Sequence, residues 1–155
     1  MIKVILFDFS GVILFAKNPS YKGRLNQLYR EISPKPYKFL DYYEFNEPLL
    51  NFLDDLKKKF KLVIFTTGIV QNDPVVIQRL GDIFSNIYSG KDMNIVKTDP
   101  TAYQLVLEKL GVGADEVVFI DDTQKNVEAA KAIGIEAIQY IDNSQIMREL
   151  GRLIP

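Results

Sequence analysis

Runs that are apolar on consecutive positions, not alternate ones, set the strongest limit on how this chain can fold. They fall at Lys3–Phe9, Lys61–Thr66, Val117–Asp121 and Glu136–Ile141, with a weaker one near Asn86–Tyr88. A strand that is apolar on both faces must be covered on both faces, which is the condition of a parallel sheet between helices. Between the runs lie stretches of helical period at about 47–59, 74–81, 100–110, 123–133 and 143–152. Asn46 before Glu47-Pro48 and Asp99 before Pro100 read as caps with proline in the first turn, while Gly111 and Gly134 stand where helices should end. Strand and helix in alternation predict an α/β fold, a three-layer doubly wound (Rossmann-like) sandwich around a mainly parallel five-stranded sheet. At 155 residues and 47% hydrophobic content, residues 1–155 make a single domain.

Residues 14–45 break the rhythm. They hold Asn18-Pro19, a short helical candidate at about 24–32, the sequence SPKP and the aromatic residues Tyr37, Phe39, Tyr42, Tyr43 and Phe45. Such an excursion between the first strand and the first long helix reads as a minimal cap or a loop-rich packing insertion, with the aromatics as packing.

Composition narrows the chemistry. The chain has no Cys and no His, which removes disulfides, thiolate and imidazole metal sites, a cysteine nucleophile and the Ser-His-Asp triad. Catalysis must then use carboxylates, lysine, hydroxyls, backbone amides or an oxygen-ligated metal. A formal charge of -1, from 19 basic and 20 acidic residues, gives no general attraction to nucleic acid or to an anionic membrane, and neither partner is expected. The run KKKFK at 57–61 reads as the solvated end of a helix. No segment approaches the roughly 18 to 20 apolar residues that span a bilayer, and an acid at position 8 breaks the apolar stretch a signal peptide needs, so a cytoplasmic protein is expected.

The stretch VILFDFSGVIL, residues 4–14, contains a single carboxylate, Asp8. Burying it unpaired would cost several kcal/mol, so it needs a partner and a purpose. In open parallel sheets ligands sit at the carboxyl ends of the strands. The residues at those ends are Asp8, Thr66-Thr67-Gly68 and Asp121-Asp122, and Lys97 lies just before the helix that begins near Pro100. Converging carboxylates repel one another unless a cation joins them, and an all-oxygen cluster suits Mg²⁺. Lys97 and the hydroxyl of Thr66 could then hold an anion, for which phosphate is the natural candidate. Asp8 would attack phosphorus and form an aspartyl phosphate.

Four segments in this order, VILFDFSGV, LVIFTTG, VKTDPTAYQLVLEKLGV and FIDDTQKNVEAAKAIGI, resemble the motifs of the haloacid dehalogenase superfamily, in its phosphatase-type branch. The likeness covers residues 1–13 and about 46–141. It implies a Mg²⁺-dependent phosphohydrolase acting on a small-molecule phosphomonoester. Carried over by position, Asp8 would be the nucleophile, Asp122 a metal carboxylate, Asp121 a second ligand or its partner, Thr66, Thr67 and Gly68 the phosphate-binding residues, and Lys97 the ammonium steadying both Asp8 and the phosphoryl group. Asn126 stands where some members place another acid.

Ser10 departs from the pattern. The family's phosphatases usually carry a second Asp there, which protonates the leaving oxygen and later activates water. Serine does neither well near neutral pH, although its backbone carbonyl can still meet the metal. General acid-base help is worth about 10² to 10⁴-fold, so slow turnover is the expectation. Two other readings stay open: a binding or regulatory protein that has lost turnover through Ser10, and a haloacid dehalogenase, disfavoured because both acids of the fourth motif are kept. A phospho-accepting receiver domain would carry its acid pair after the first strand, and here the pair follows the fourth. With so short a cap the site would be open, entered by a bulky substrate or walled by a neighbouring subunit of a homo-oligomer.

Overall fold

Residues 1–154 are described by a computed structural model. Five parallel strands form one sheet: β1 (Val4–Phe7) lies at its centre, between β4 (Lys61–Thr66) and β6 (Val117–Asp121). Outside these lie β5 (Asn86–Ser89) and β7 (Glu136–Gln139), giving the order β5-β4-β1-β6-β7. The order runs outward from β1 in one direction, then returns to its other side. That reversal falls between β1 and β6, whose register pairs Phe7 with Ile120.

The two apolar clusters show why the strands are apolar throughout. Ile5, Phe7, Ile64 and Ile120 point to one face, where α3 (Glu47–Leu56), α4 (Pro74–Leu80) and α7 (Asn143–Leu153) bury Leu49, Leu53, Val76, Ile146 and Leu150. Val4, Leu6, Phe65 and Phe119 point to the other, under α5 (Pro100–Leu110) and α6 (Gln124–Lys131), with Tyr103, Val106 and Val127. Caps fix the helix starts. Asn46 accepts from the N–H of Leu49, Asp73 from Val75 at 2.9 Å and Asp99 from Thr101 at 2.9 Å. Gly111, at φ 68°, ends α5.

The strand predicted over Lys3–Phe9 stops at Phe7. The carbonyl of Phe9 accepts from the N–H groups of Val12, Ile13 and Leu14, so the chain turns at once into a tight loop. The insertion opens with β2 (Leu14–Ala16), which pairs antiparallel with β3 (Tyr43–Phe45) as a short ribbon the sequence did not announce. Between them lie α1 (Leu25–Ile32) and α2 (Phe39–Tyr42). Of its aromatics Phe39 and Tyr43 are buried and stacked at 4.6 Å and Tyr37 and Phe45 pack partly buried against the core, but Tyr42, expected to pack with them, is exposed. Among the described residues no helix is long and apolar enough to cross a membrane.

Candidate active site

Asp8, one residue past the end of β1, donates its N–H to the carbonyl of Ile120 at 2.8 Å, which ties the start of the loop to β6. Asp121 closes β6, and Asp122 follows it. Carboxylate oxygens of Asp8, Asp121 and Asp122 lie within 4.8 Å of one another. Lys97 reaches this group from before α5: its Nζ is 2.6 Å from Asp8 Oδ1 and 2.6 Å from Asp121 Oδ2. The lysine side chain is 5% exposed, and its Nζ sits 5.4 Å from the ring centres of both Phe65 and Phe119. An apolar face therefore backs the cation while two anions front it.

The neighbours of Asp121 are polar and directional. Its Oδ1 accepts from the N–H of Thr123 at 2.8 Å, which turns the chain into α6, and its Oδ2 accepts from Asn126 Nδ2 at 3.0 Å. The turn into α6 and the site thus share one carboxylate. Asp122 accepts at Oδ1 from the Thr123 hydroxyl at 3.2 Å. Its other oxygen packs on Gly11, where an added β-carbon would lie 2.3 Å from Asp122 Oδ2 and where φ is +83°.

One ammonium among three carboxylates leaves negative charge uncompensated. Burial pushes the Asp8 carboxyl up to about 7; Lys97 opposes this, and Asp121 and Asp122 add to it. Asp122 is raised by burial of its carboxyl and by Asp121. Burial works against the Lys97 ammonium, but Asp8 and Asp121 outweigh it and raise its pKa. A small divalent ion fits this donor set. All the donors are oxygens, and separations within 4.8 Å of one another are compatible with the roughly 3 to 4 Å between ligands of octahedral Mg²⁺. Ser10 adds a further mark, because its hydroxyl is buried without a hydrogen-bond partner among the described residues.

The sequence-predicted residues divide into two groups. Asp8, Lys97, Asp121 and Asp122 meet directly. Thr66, Thr67 and Gly68 stand at the end of the neighbouring strand, with Thr66 buried and level with Ser89, Thr67 exposed and Gly68 buried. The register of β1 with β4 sets Thr66 one residue beyond the level of Asp8. Sequence reading missed Asn26, whose side chain fills the space over Gly68, and the aromatic seat of Lys97. A surface concavity of about 820 Å³ lies elsewhere, between the insertion and α4, and is bordered by Tyr43, Glu47 and Arg79.

Comparison with known proteins places the chain in a family. A family model described as haloacid dehalogenase-like hydrolase matches residues 35–134, the greater part of the chain. The chain is 39% identical over 59 residues to a phosphoglycolate phosphatase of Pectobacterium atrosepticum, covering 38% of this chain and 25% of that protein. It is 35% identical over 89 residues to a phosphorylated carbohydrates phosphatase of Thermotoga maritima, covering 56% and 41%. The chain thus spans well under two thirds of the curated relatives it matches first. Among solved structures, a HAD family enzyme of Bacteroides thetaiotaomicron in complex with magnesium and inorganic phosphate superposes with a TM-score of 0.67 at 18% identity, covering 96% of this chain and all of that one. A 2-haloacid dehalogenase of Pseudomonas syringae superposes almost as well, at 0.66 and 17% identity, covering 99% of this chain and all of that one, so backbone likeness shows the fold alone. With the family model spanning Lys97, Asp121, Asp122 and three of the five sheet strands, close to two thirds of the chain, the chain belongs to the haloacid dehalogenase-like hydrolase family.

Proposed function

We propose that the chain is a Mg²⁺-dependent phosphomonoester hydrolase that works through an aspartyl phosphate on Asp8. One observation carries the reading: three carboxylates within 4.8 Å of one another, with a buried ammonium 2.6 Å from two of them. A structural ion pair needs one acid, not three. The surplus charge marks a place for a cation, and the neighbouring hydroxyl and amides of Thr66–Gly68 offer donors to an anion.

In this reading Asp8, Asp121, Asp122 and the backbone carbonyl of Ser10 hold Mg²⁺, which when bound neutralises the phosphoryl oxygens. Lys97, 2.6 Å from Asp8 Oδ1, favours the ionised form of Asp8 and aims it, and shares its charge with the incoming phosphate. A carboxylate oxygen of Asp8 attacks phosphorus as the bond to the leaving oxygen breaks, and water then hydrolyses the acyl phosphate. The rigid end of β1 fixes the line of attack. The weak step is protonation of the leaving oxygen, because the Ser10 hydroxyl holds its proton too tightly near pH 7. Aryl phosphates, which leave without a proton, should outrun alkyl phosphates. The phosphatase names of the relatives favour small anionic phosphomonoesters as the natural class.

A second reading, a metal-binding protein without turnover, is favoured by Ser10 itself. Initial rates on p-nitrophenyl phosphate, with Mg²⁺ or EDTA, in the native chain and in Asp8→Asn, separate the cases. Hydrolysis lost in both EDTA and Asp8→Asn supports the hydrolase. Mg²⁺ binding without any hydrolysis supports the second reading, and metal-independent halide release from a 2-haloacid would make the chain a dehalogenase.

A further inference from the structure

The insertion is fastened to the loop that follows β4. Asn26, in the first turn of α1, accepts with its side-chain oxygen from the N–H groups of Ile69 at 2.6 Å and Val70 at 3.0 Å. The same carboxamide fills the space above Gly68, where an added β-carbon would lie 2.1 Å from its oxygen and nitrogen. The φ of Gly68 is not in the left-handed region. The backbone would therefore tolerate alanine, and it is Asn26 that requires glycine. A second latch closes the far end of the loop: the hydroxyls of Tyr29, at 3.2 Å, and Tyr37 both donate to Asp73 Oδ2, whose other oxygen caps α4. An eight-residue helix does not stand alone in water; α1 rests Leu25, Leu28 and Ile32 against the core, and these polar contacts tie its first turn to the loop.

We propose that Asn26 is a positioning residue for phosphate binding: from the insertion it holds loop 67–70 in the shape that turns the Thr67 and Gly68 N–H groups toward the phosphoryl group. This rests on the reading of Thr66–Gly68 as the phosphate loop. The amides of Ile69 and Val70 are consumed by Asn26, whereas no backbone carbonyl among the described residues takes those of Thr67 and Gly68. The insertion then acts as a fixed buttress of the loop and not as a lid that swings.

The test is the dissociation constant of orthophosphate in saturating Mg²⁺, measured by calorimetry alongside amide hydrogen exchange. Asn26→Ala should weaken orthophosphate about threefold to thirtyfold, the range expected when two hydrogen bonds that order a loop are lost, and should speed exchange at Ile69 and Val70. Asn26→Asp keeps the oxygen that accepts both hydrogen bonds and should keep the protection. Leu28→Ala, on the same helix but packed into the core without a bond to the loop, should lower the melting temperature and leave orthophosphate affinity unchanged. In Asn26→Ala the space over Gly68 opens, so adding Gly68→Ala should cost less affinity there than in the native chain. Equal orthophosphate binding by the native chain and Asn26→Ala, or equal losses in Leu28→Ala, overturns the proposal alone. A native chain that binds no orthophosphate overturns the phosphohydrolase reading, and this proposal with it.

Discussion

Replacing Lys97 by methionine keeps the length and apolar contacts of the side chain against Phe65 and Phe119 and removes only the charge. In the native chain the lysine side chain is 5% exposed, and its ammonium is 2.6 Å from both Asp8 and Asp121. Taking away one partner of a buried ion pair costs about 3 to 5 kcal/mol, because the charge left behind has no compensation. For a chain of 155 residues each kcal/mol is worth about 2 to 4 °C, so the melting temperature should fall by roughly 6 to 20 °C. The loss depends on pH with a definite sign. Burial, offset in part by Lys97, holds the folded Asp8 carboxyl at about 7, above its ordinary 3.8. Between those values the folded state binds the extra proton, so stability falls as pH rises through this window. Without Lys97 the carboxyl rises further, and the deficit should be larger at pH 8, where Asp8 is charged in the native chain, than at pH 5, where it is protonated. Thermal melts in EDTA at the two pH values measure this. A variant as stable as the native chain at pH 8, or one with the same deficit at both pH values, would refute the reasoning.

Gly11→Ala should weaken Mg²⁺ binding at least tenfold by pushing the Asp122 carboxylate aside, and the left-handed backbone should add a stability cost of about 1 to 2 kcal/mol; calorimetry and urea melts read the two effects. Ser10→Asp should raise turnover on alkyl phosphates by as much as about 10² to 10⁴-fold, and unchanged rates in a folded variant would count against the missing-acid account. Asn46→Ala removes a buried carboxamide that caps α3, donates to the carbonyl of Val12 at 2.8 Å and exchanges two 2.8 Å hydrogen bonds with Asn143. It should cost about 2 to 4 kcal/mol in urea unfolding, and a loss below about 0.5 would show that the network contributes little.

The five-stranded frame was legible because each central strand buries both faces, Ile5 and Phe7 on one side and Val4 and Leu6 on the other, which leaves an unbroken apolar run in the sequence. The bounds of α5 were legible for a local reason, since Asp99-Pro100 starts it and Gly111 ends it. The acids could be found because they stand where apolar strands stop. Local signals failed where structure is short or contacts are distant. Strands of three residues, as in the β2–β3 ribbon, carry too little periodicity to register. Asn26 meets the loop after β4 across 43 residues, and Asn46 meets Asn143 across 97, so nothing nearby in the chain marks either pair. Residues 123–133 read as one helix, but α6 spans Gln124–Lys131, with Gly134 at φ 88° just beyond it.

Electron paramagnetic titration with Mn²⁺, a spin-active stand-in for Mg²⁺, addresses the central claim directly, because it reads the ion and not the product. The account predicts one bound Mn²⁺ per chain, displaced by Mg²⁺ and weakened at least tenfold in Asp122→Asn and again when Asp8→Asn is added. Affinity that is indifferent to both substitutions, or no bound ion at millimolar concentration, would contradict it.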